Sequence, residues 1–368
     1  MTTTSVPLGS TASNKSDKSE PLPIIDCDVH NQLRGSQDLL PYLDPIWKQE
    51  AGLRGGGLPY ISPIGSKRKD ADPPSGLPVG SDPHYMIEHL LDPFHMDYAI
   101  LCSDSTIGVS AFADANYAAA ICRAYNDYLI AEWLPVTPRF KGLMCIATQD
   151  PLEAAREIDR IGPHPDIVGV SVIGGSRMPY GQRFFHPIYE ACVRHGLPYV
   201  IHPGSEGSGI FNPPTAVGYV SNYLQWHTCL PQTYMAHLVS FVCDGVFEKF
   251  PGLKVVLSEG GVSWLPPLLW RLDKNYKGLR ASVPWLKRLP SEYVRDHCLL
   301  TTQPIEEPDN PKHLAMMFEM FDAENMLLFS SDYPHWDFDD PTKVLQRLPL
   351  EKKRKIFAEN ARALFGLH

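Results

Sequence analysis

The stretch PIIDCDVH, residues 23–30, is a short run of β-branched and apolar residues that ends in two acids and a histidine. Its length, its leading proline and its lack of a solvent face fit a strand covered on both sides, as in a parallel sheet. Seven further runs repeat the pattern: YAILCSD (98–104), RFKGLMCIAT (139–148), IVGVSVIG (167–174), PYVIHPG (198–204), KVVLSEG (254–260), CLLTTQP (298–304) and MLLFSSDYPH (326–335). Amphipathic stretches lie between them. In DPLEAAREIDRIG, residues 150–162, Asp150 reads as a helix cap, with Leu152, Ala155, Ile158 and Ile161 placed on one face. Similar helical patterns occupy 114–133, 186–195, 233–249, 263–277, 310–322 and the closing EKKRKIFAENARALFG. Eight strands, each followed by a helix, predict an α/β fold, a (β/α)8 TIM barrel, rather than a doubly wound sheet.

Working outward, residues 21–368 read as one barrel domain behind a Ser/Thr/Lys/Asp-rich tail, 1–20, expected to be disordered. Two Pro/Gly-rich stretches break the rhythm, 31–83 after strand 1 and 203–232 after strand 5. Both follow strand C-termini, the face on which barrel active sites are built, and are expected to wall and cover the site. The 35 prolines among 368 residues, nearly twice the usual ~5%, belong largely to such loops and exclude a helical bundle.

The balance of 33 Lys+Arg against 42 Asp+Glu, a net −9, argues against nucleic acid or an anionic membrane as partner. Eight cysteines, evenly spread and without a CxxC, read as reduced and mostly buried thiols. The N-terminal residues carry no apolar signal core, and no apolar run is long enough to span a bilayer. A soluble cytoplasmic protein acting on a small-molecule substrate is therefore expected.

Polar residues gather at the strand ends, against the apolar grain. A period of two points Asp26, Asp28 and His30 to one side and turns Cys27 away. Strand 5 ends in His202, strand 6 in Glu259 and strand 8 in Asp332. Asp28, His30, His202 and Asp332 are expected to converge on one divalent metal ion above the barrel axis. Two carboxylates and two imidazoles suit Zn2+ first and Mn2+ second. Any single member of this set has an ordinary alternative as a core histidine or a capping aspartate; three independent strand ends carry the expectation together.

Five stretches in order, IIDCDVH, YVIHPG, KFPGLKVVLSEGG, LLFSSDYPHWD and IFAENARALFGL, resemble the amidohydrolase-2 family of metal-dependent barrel enzymes. The resemblance covers nearly everything from Pro23 to Leu367. It implies a TIM barrel, a metal-bearing active site, hydrolase or decarboxylase chemistry and a homodimer. Asp26, Asp28 and His30 fall on the family's opening D-x-H-x-H, so that an aspartate stands at its first metal histidine and Asp26 stands behind the ligands. The resemblance also makes Asp332 both a ligand and the acceptor of a proton from metal-bound water.

Glu259 departs from the family, which carries histidine there in many members. A carboxylate serves as general acid or base if burial raises its pKa, or it approaches the metal as a further ligand. Arg177 is a candidate clamp for a substrate carboxylate. His335 is a candidate substrate contact, and Trp226, with Tyr60, Tyr219 and Tyr223, a candidate wall of an aromatic pocket. His227 and His237 are candidates for a missing imidazole, with surface or core roles as the plainer reading.

Metal-assisted hydrolysis of a small carbonyl or carboxylic-acid substrate by a metal-activated water is the leading expectation. Its rival is a non-oxidative decarboxylase or hydratase acting on an aromatic or unsaturated carboxylic acid. A barrel that binds without catalysing is the third.

Overall fold

In the computed structural model, residues 22–48 and 65–368 are described. The expected tail at 1–20 and Tyr60 lie outside the described residues. The eight expected strands are all present: β1 (Ile25–Asn31), β2 (Tyr98–Ser103), β3 (Phe140–Cys145), β4 (Ile167–Ile173), β5 (Tyr199–His202), β6 (Val255–Leu257), β7 (Cys298–Thr301) and β8 (Leu327–Leu328). They pair in parallel, each with its sequence neighbour, from β1 through to β8. The chain beyond β8 brings the ends together: Cys27 N–H donates to Phe329 O at 2.9 Å, and His30 N–H donates to Tyr333 O at 2.7 Å. The result is a nearly closed (β/α)8 barrel, with helices between the strands.

Two layers of apolar packing follow from the period-two alternation. The larger cluster joins the outward strand residues Leu101, Val170, Ile201 and Leu257 to the helices. The smaller one joins Ile25, Ile100, Leu143, Val168, Val200, Val256 and Leu328. Side chains from opposite strands meet only inside the barrel, so this second cluster is its interior. Ala358, Ala361 and Phe365 from the last helical stretch, with Leu367 just beyond it, close its lower end. The other end, where the strands finish, is left for polar groups.

Cys27 also belongs to that interior cluster, against the strict alternation read from the sequence. The pairing of β1 with β2 shifts register between Asp26 and Val29. This bulge turns Cys27 inward and swings Asp26 toward the end of β8, while Asp28 and His30 keep their place at the barrel mouth.

Helix Pro151–Ile161 starts at Asp150, whose carboxylate accepts from the N–H groups of Leu152 and Glu153. Its buried residues are Pro151, Ala154, Ile158 and Ile161, while Leu152 is 61% exposed. The expected face is thus rotated by about one residue, because the cap fixes where the helix begins. The stretch 203–232 is less irregular than its composition implies: after a loop it forms helix Tyr223–Cys229, capped by Asn222, and Pro231 then opens helix Pro231–Cys243. The stretch 233–249 is in turn broken at Gly245, at φ 74°, before a short helix at Val246–Lys249. All eight cysteines are free thiols, with Cys229 and Cys243 only half-buried. Among the described residues no helix is long and apolar enough to cross a membrane.

Candidate metal centre

Asp28 and His30 leave β1 with side chains at the barrel mouth, His202 ends β5, and Glu259 and Asp332 follow β6 and β8. Ligand atoms of all five lie within 4.8 Å of one another, and all five residues are buried. His30 Nε2 stands 3.0 Å from Asp332 Oδ1 and 3.5 Å from Asp28 Oδ1. His202 Nε2 stands 3.5 Å from Asp28 Oδ2 and 2.9 Å from Glu259 Oε2.

Local backbone geometry aims these groups. Asp332 and Glu259 are both non-glycine residues in the left-handed region, with φ of 61° and 56°. Such conformations cost on the order of 1–3 kcal/mol each and persist where neighbours hold them. Asp332 N–H donates to Asp28 O at 3.1 Å, and Glu259 N–H donates to Thr301 Oγ1 at 2.8 Å. After Glu259, glycine is needed because a Cβ on Gly260 would come 2.7 Å from the Tyr234 ring. Tyr234 in turn donates its hydroxyl to Ser258 O. The Ser258 hydroxyl donates to Asp28 Oδ2 at 2.7 Å, which orients that carboxylate. His202 Nδ1–H donates to Pro203 O at 2.7 Å, so its Nε2 faces the cluster. Asp26 lies behind the group, accepting from the Ser331 N–H at 2.9 Å and from the Ser331 hydroxyl.

The cluster is electrostatically strained as it stands. Burial pushes the Asp28 and Asp332 carboxyls up, reinforced by Glu259, and takes the His30 imidazole well below its ordinary range. Burial also disfavours the charged form of His202, but Asp28 and Glu259 outweigh it and hold that imidazole at about 10. Glu259 is opposed by burial too, yet His202 keeps it well below the usual carboxylate range. Both ring nitrogens of His30, Nε2 of His202 and Oδ2 of Asp332 are buried without a hydrogen-bond partner. Buried polar atoms are rarely left so. Four orphaned donor atoms on two imidazoles and a carboxylate, beside a second carboxylate, fit a divalent cation.

The site opens into a cavity of about 50 Å³ lined by His202, Glu259, Asp332, His335, Tyr223 and Trp226, among others. His335 Nδ1 lies 2.6 Å from Asp332 Oδ1, and its ring centroid is 4.3 Å from that of His30. Trp226 is buried and its indole N–H has no partner. Arg177 is placed elsewhere. It is exposed on the rim of a separate, larger cavity of about 440 Å³ beside Glu206, Asn212 and His237. The larger cavity is not the metal centre, because the converging carboxylates and imidazoles all face the smaller one. Tyr219 is exposed, Tyr333 turns inward to bring its hydroxyl 2.9 Å from His89 Nδ1, and Trp336 Nε1–H donates to Tyr223 OH at 3.2 Å across the mouth.

Several residues at the site carried little signal in the sequence. Asp104, at the end of β2, is 3.5 Å from His335 Nε2 and 2.6 Å from Lys67 Nζ. His227 Nε2 lies 3.7 Å from Glu259 Oε1 and 3.4 Å from Asp337 Oδ2. Asp104 was visible as one more polar strand end. His227 and His237 were both named as candidates for a missing imidazole, and only His227 reaches Glu259, while His237 bonds Gly174 and Tyr180.

The profile of the amidohydrolase family matches residues 25–367. The chain belongs to that family. A gamma-resorcylate decarboxylase from Polaromonas sp. is 25% identical over 294 residues, which cover 76% of this chain and 86% of the relative. Its counterpart from Rhodococcus jostii is 24% identical over the same shares. Among solved structures, 5-carboxyvanillate decarboxylase from Sphingomonas paucimobilis aligns with a TM-score of 0.67 at 23% identity, covering 94% of this chain and 100% of that one. A dihydroxybenzoic acid decarboxylase from Polaromonas sp., with bound manganese and the inhibitor 2-nitroresorcinol, gives 0.65 at 22% identity, over 94% and 97% of the two chains. The structural likenesses speak for the barrel. The family match identifies the chain as an amidohydrolase-family enzyme.

Proposed function

We propose that the chain is a metal-dependent, non-oxidative decarboxylase acting on an aromatic or unsaturated carboxylic acid. The observation that carries this reading is the buried two-carboxylate, two-imidazole cluster opening into a cavity with aromatic walls. The decarboxylase relatives, one matching over 76% of this chain, favour it over the hydrolase expected from the sequence. Asp28, His30, His202 and Asp332 would hold one divalent ion. The manganese bound in the Polaromonas structure favours Mn2+ over the Zn2+ expected first. Such an ion supplies a positive anchor for the substrate carboxylate and a neighbouring oxygen.

The chain's own residues do the rest. Ser258 fixes the Asp28 carboxylate, and Pro203 fixes the His202 ring. Trp226 would offer its unsatisfied indole N–H to a substrate oxygen, and Tyr223 and Trp336 would flank a planar ring. Decarboxylation breaks the bond from carbon to the carboxylate, leaves the electron pair on that carbon and needs one proton there. Glu259 lines the cavity there, but His202 holds it ionised where a raised carboxyl was expected, so it can relay a proton only by drawing one from a neighbour. The cavity is far below the ~300–1,000 Å³ typical of small-molecule sites, so a ring enters by parting the Tyr223–Trp336 contact.

The test is metal removal with a chelator, reconstitution with Mn2+ or Zn2+, and a screen of hydroxybenzoic acids for CO2 release. We expect CO2 from the loaded protein alone. Activity in the metal-free protein, or a water-consuming reaction of the loaded protein without CO2, would sink this reading, and the second outcome would restore the hydrolase.

A further inference from the structure

The cavity of about 440 Å³ lies between the loops after β4 and β5 and helix Pro231–Cys243, and the metal chemistry makes no use of it. Its volume falls within the ~300–1,000 Å³ of small-molecule sites, and Met178, Phe211, Pro213 and Pro214 give it apolar walls. Two charged side chains line it, Glu206 and Arg177. Glu206 is 3% exposed. Its Oε2 accepts from Gly204 N–H at 3.0 Å, whereas its Oε1 is buried without a hydrogen-bond partner. Gly174 and Thr233, both on the cavity wall, flank that oxygen: a Cβ on Gly174 would stand 2.7 Å from Oε1 and 3.1 Å from Thr233 Cγ2. The missing side chain at Gly174 therefore leaves the space beside Oε1 open. A buried carboxylate oxygen is rarely left without a donor. His237, on the same wall, supplies none, because its Nε2–H goes to Gly174 O and its Nδ1 accepts from Tyr180 N–H. Arg177 is exposed at the rim, and among the described residues no carboxylate pairs with it.

We propose that this cavity is a second ligand site that takes a small amino acid, with its ammonium on Glu206 Oε1 and its carboxylate on Arg177. Both contacts are charge-assisted, and the guanidinium offers paired donors to a carboxylate. The apolar walls fit the methylene stem between the two ends. A purely anionic ligand would set its charge against Glu206, and a purely cationic one would leave Arg177 unpaired. Burial raises the Glu206 carboxyl to about 8. The titratable groups around it are His202 and Glu259 at the barrel mouth, which act on it in opposite directions, the phenols of Tyr180 and Tyr234, and neutral His237 and Arg177 on the cavity wall. At pH 7 the empty site therefore holds the carboxylic acid, and an entering ammonium displaces its proton to solvent.

The experiment is calorimetric titration of the metal-loaded full chain with γ-aminobutyrate, δ-aminovalerate and ε-aminocaproate, whose separated ends do not chelate a metal ion. Butylamine and butyrate serve as one-ended controls. At least one amino acid should bind about 10-fold tighter than either control, and Glu206→Gln and Arg177→Met should each weaken it by about 10-fold or more. In two buffers of different ionisation heat at pH 7, wild-type binding should release about one proton and residual binding to Glu206→Gln none. Arg177 is exposed, so its replacement tests the site without disturbing the core. Failure of all three amino acids to bind, binding no tighter than that of a control, full affinity in Arg177→Met, or binding without proton release each overturns the proposal. Binding that survives both substitutions and disappears with the metal would place the ligand at the metal centre and overturns it as well. The site stands whether or not the metal centre releases CO2, so its failure and that of the decarboxylase reading are read separately.

Discussion

Asp26 is buried behind the metal centre, where it braces Asp28 and the turn that carries Asp332. Its Oδ1 accepts from Asp28 N–H at 3.3 Å and Ser331 N–H at 2.9 Å, while Oδ2 takes the Ser331 hydroxyl. It therefore ties β1 to the turn that carries Asp332. Burial pushes its own carboxyl up to about 7. Asp26→Ala would leave the Ser331 groups unpaired and free that turn, so metal affinity should drop about 10–100-fold, read by competition with a chromophoric chelator. Unchanged affinity would reduce Asp26 to a packing role. The same scale shows what could be read from sequence. Asp28, His30, His202 and Asp332 were legible because a polar residue at the end of an apolar strand has few other reasons to be there. Asp337 was not, and His227 was legible only as one of two imidazole candidates beside His237, since tertiary folding alone decides which of them reaches Glu259. Arg177 shows the converse: its place after β4 was legible, but the direction of its side chain was not.

At the scale of elements, the strands were legible because burial on both faces leaves an uninterrupted β-branched run. Helix faces were less so, as Pro151–Ile161 shows. Periodicity fixes the spacing of a face and leaves its phase to the cap. Asp150 sets that phase by accepting from the N–H groups of Leu152 and Glu153, both at 3.1 Å. Asp150→Ala should therefore cost about 1 kcal/mol, seen as a lower urea midpoint with an unchanged slope. Turnover should be unaffected, because this helix lies between β3 and β4 and contributes nothing to the metal cluster. A neutral result would mean that burial of Ala154, Ile158 and Ile161 alone holds the helix. The bulge in β1 teaches the same lesson for strands. Alternation predicted the side chains correctly at Asp28 and His30 but failed at Cys27, because no feature of IIDCDVH announces the extra residue.

At the scale of the whole molecule, His237 couples the loop after β4 to helix Pro231–Cys243 and is not one of the metal-cluster residues. Its Nε2–H donates to Gly174 O at 2.7 Å, and its Nδ1 accepts from Tyr180 N–H at 3.1 Å. The ring also stacks on Tyr180 at 4.4 Å. This arrangement needs the neutral imidazole, since a proton on Nδ1 would set two donors against each other. Burial depresses its pKa from 6.5 to about 4. Between those values the unfolded chain binds more protons than the folded one, so stability rises with pH across that window. The contribution is complete above about pH 6.5 and is lost as pH falls toward 4; by pH 5 the loss amounts to about 2 kcal/mol. His237→Gln retains a donor and an acceptor but cannot titrate. Urea unfolding at pH 7.5 and pH 5 should therefore show a fall in stability smaller by about 2 kcal/mol in the variant than in the wild type. The buried carboxylates of the metal centre titrate in both proteins and cancel from the comparison. Equal falls in the two proteins would place the acid sensitivity of the barrel in those carboxylates and not in His237.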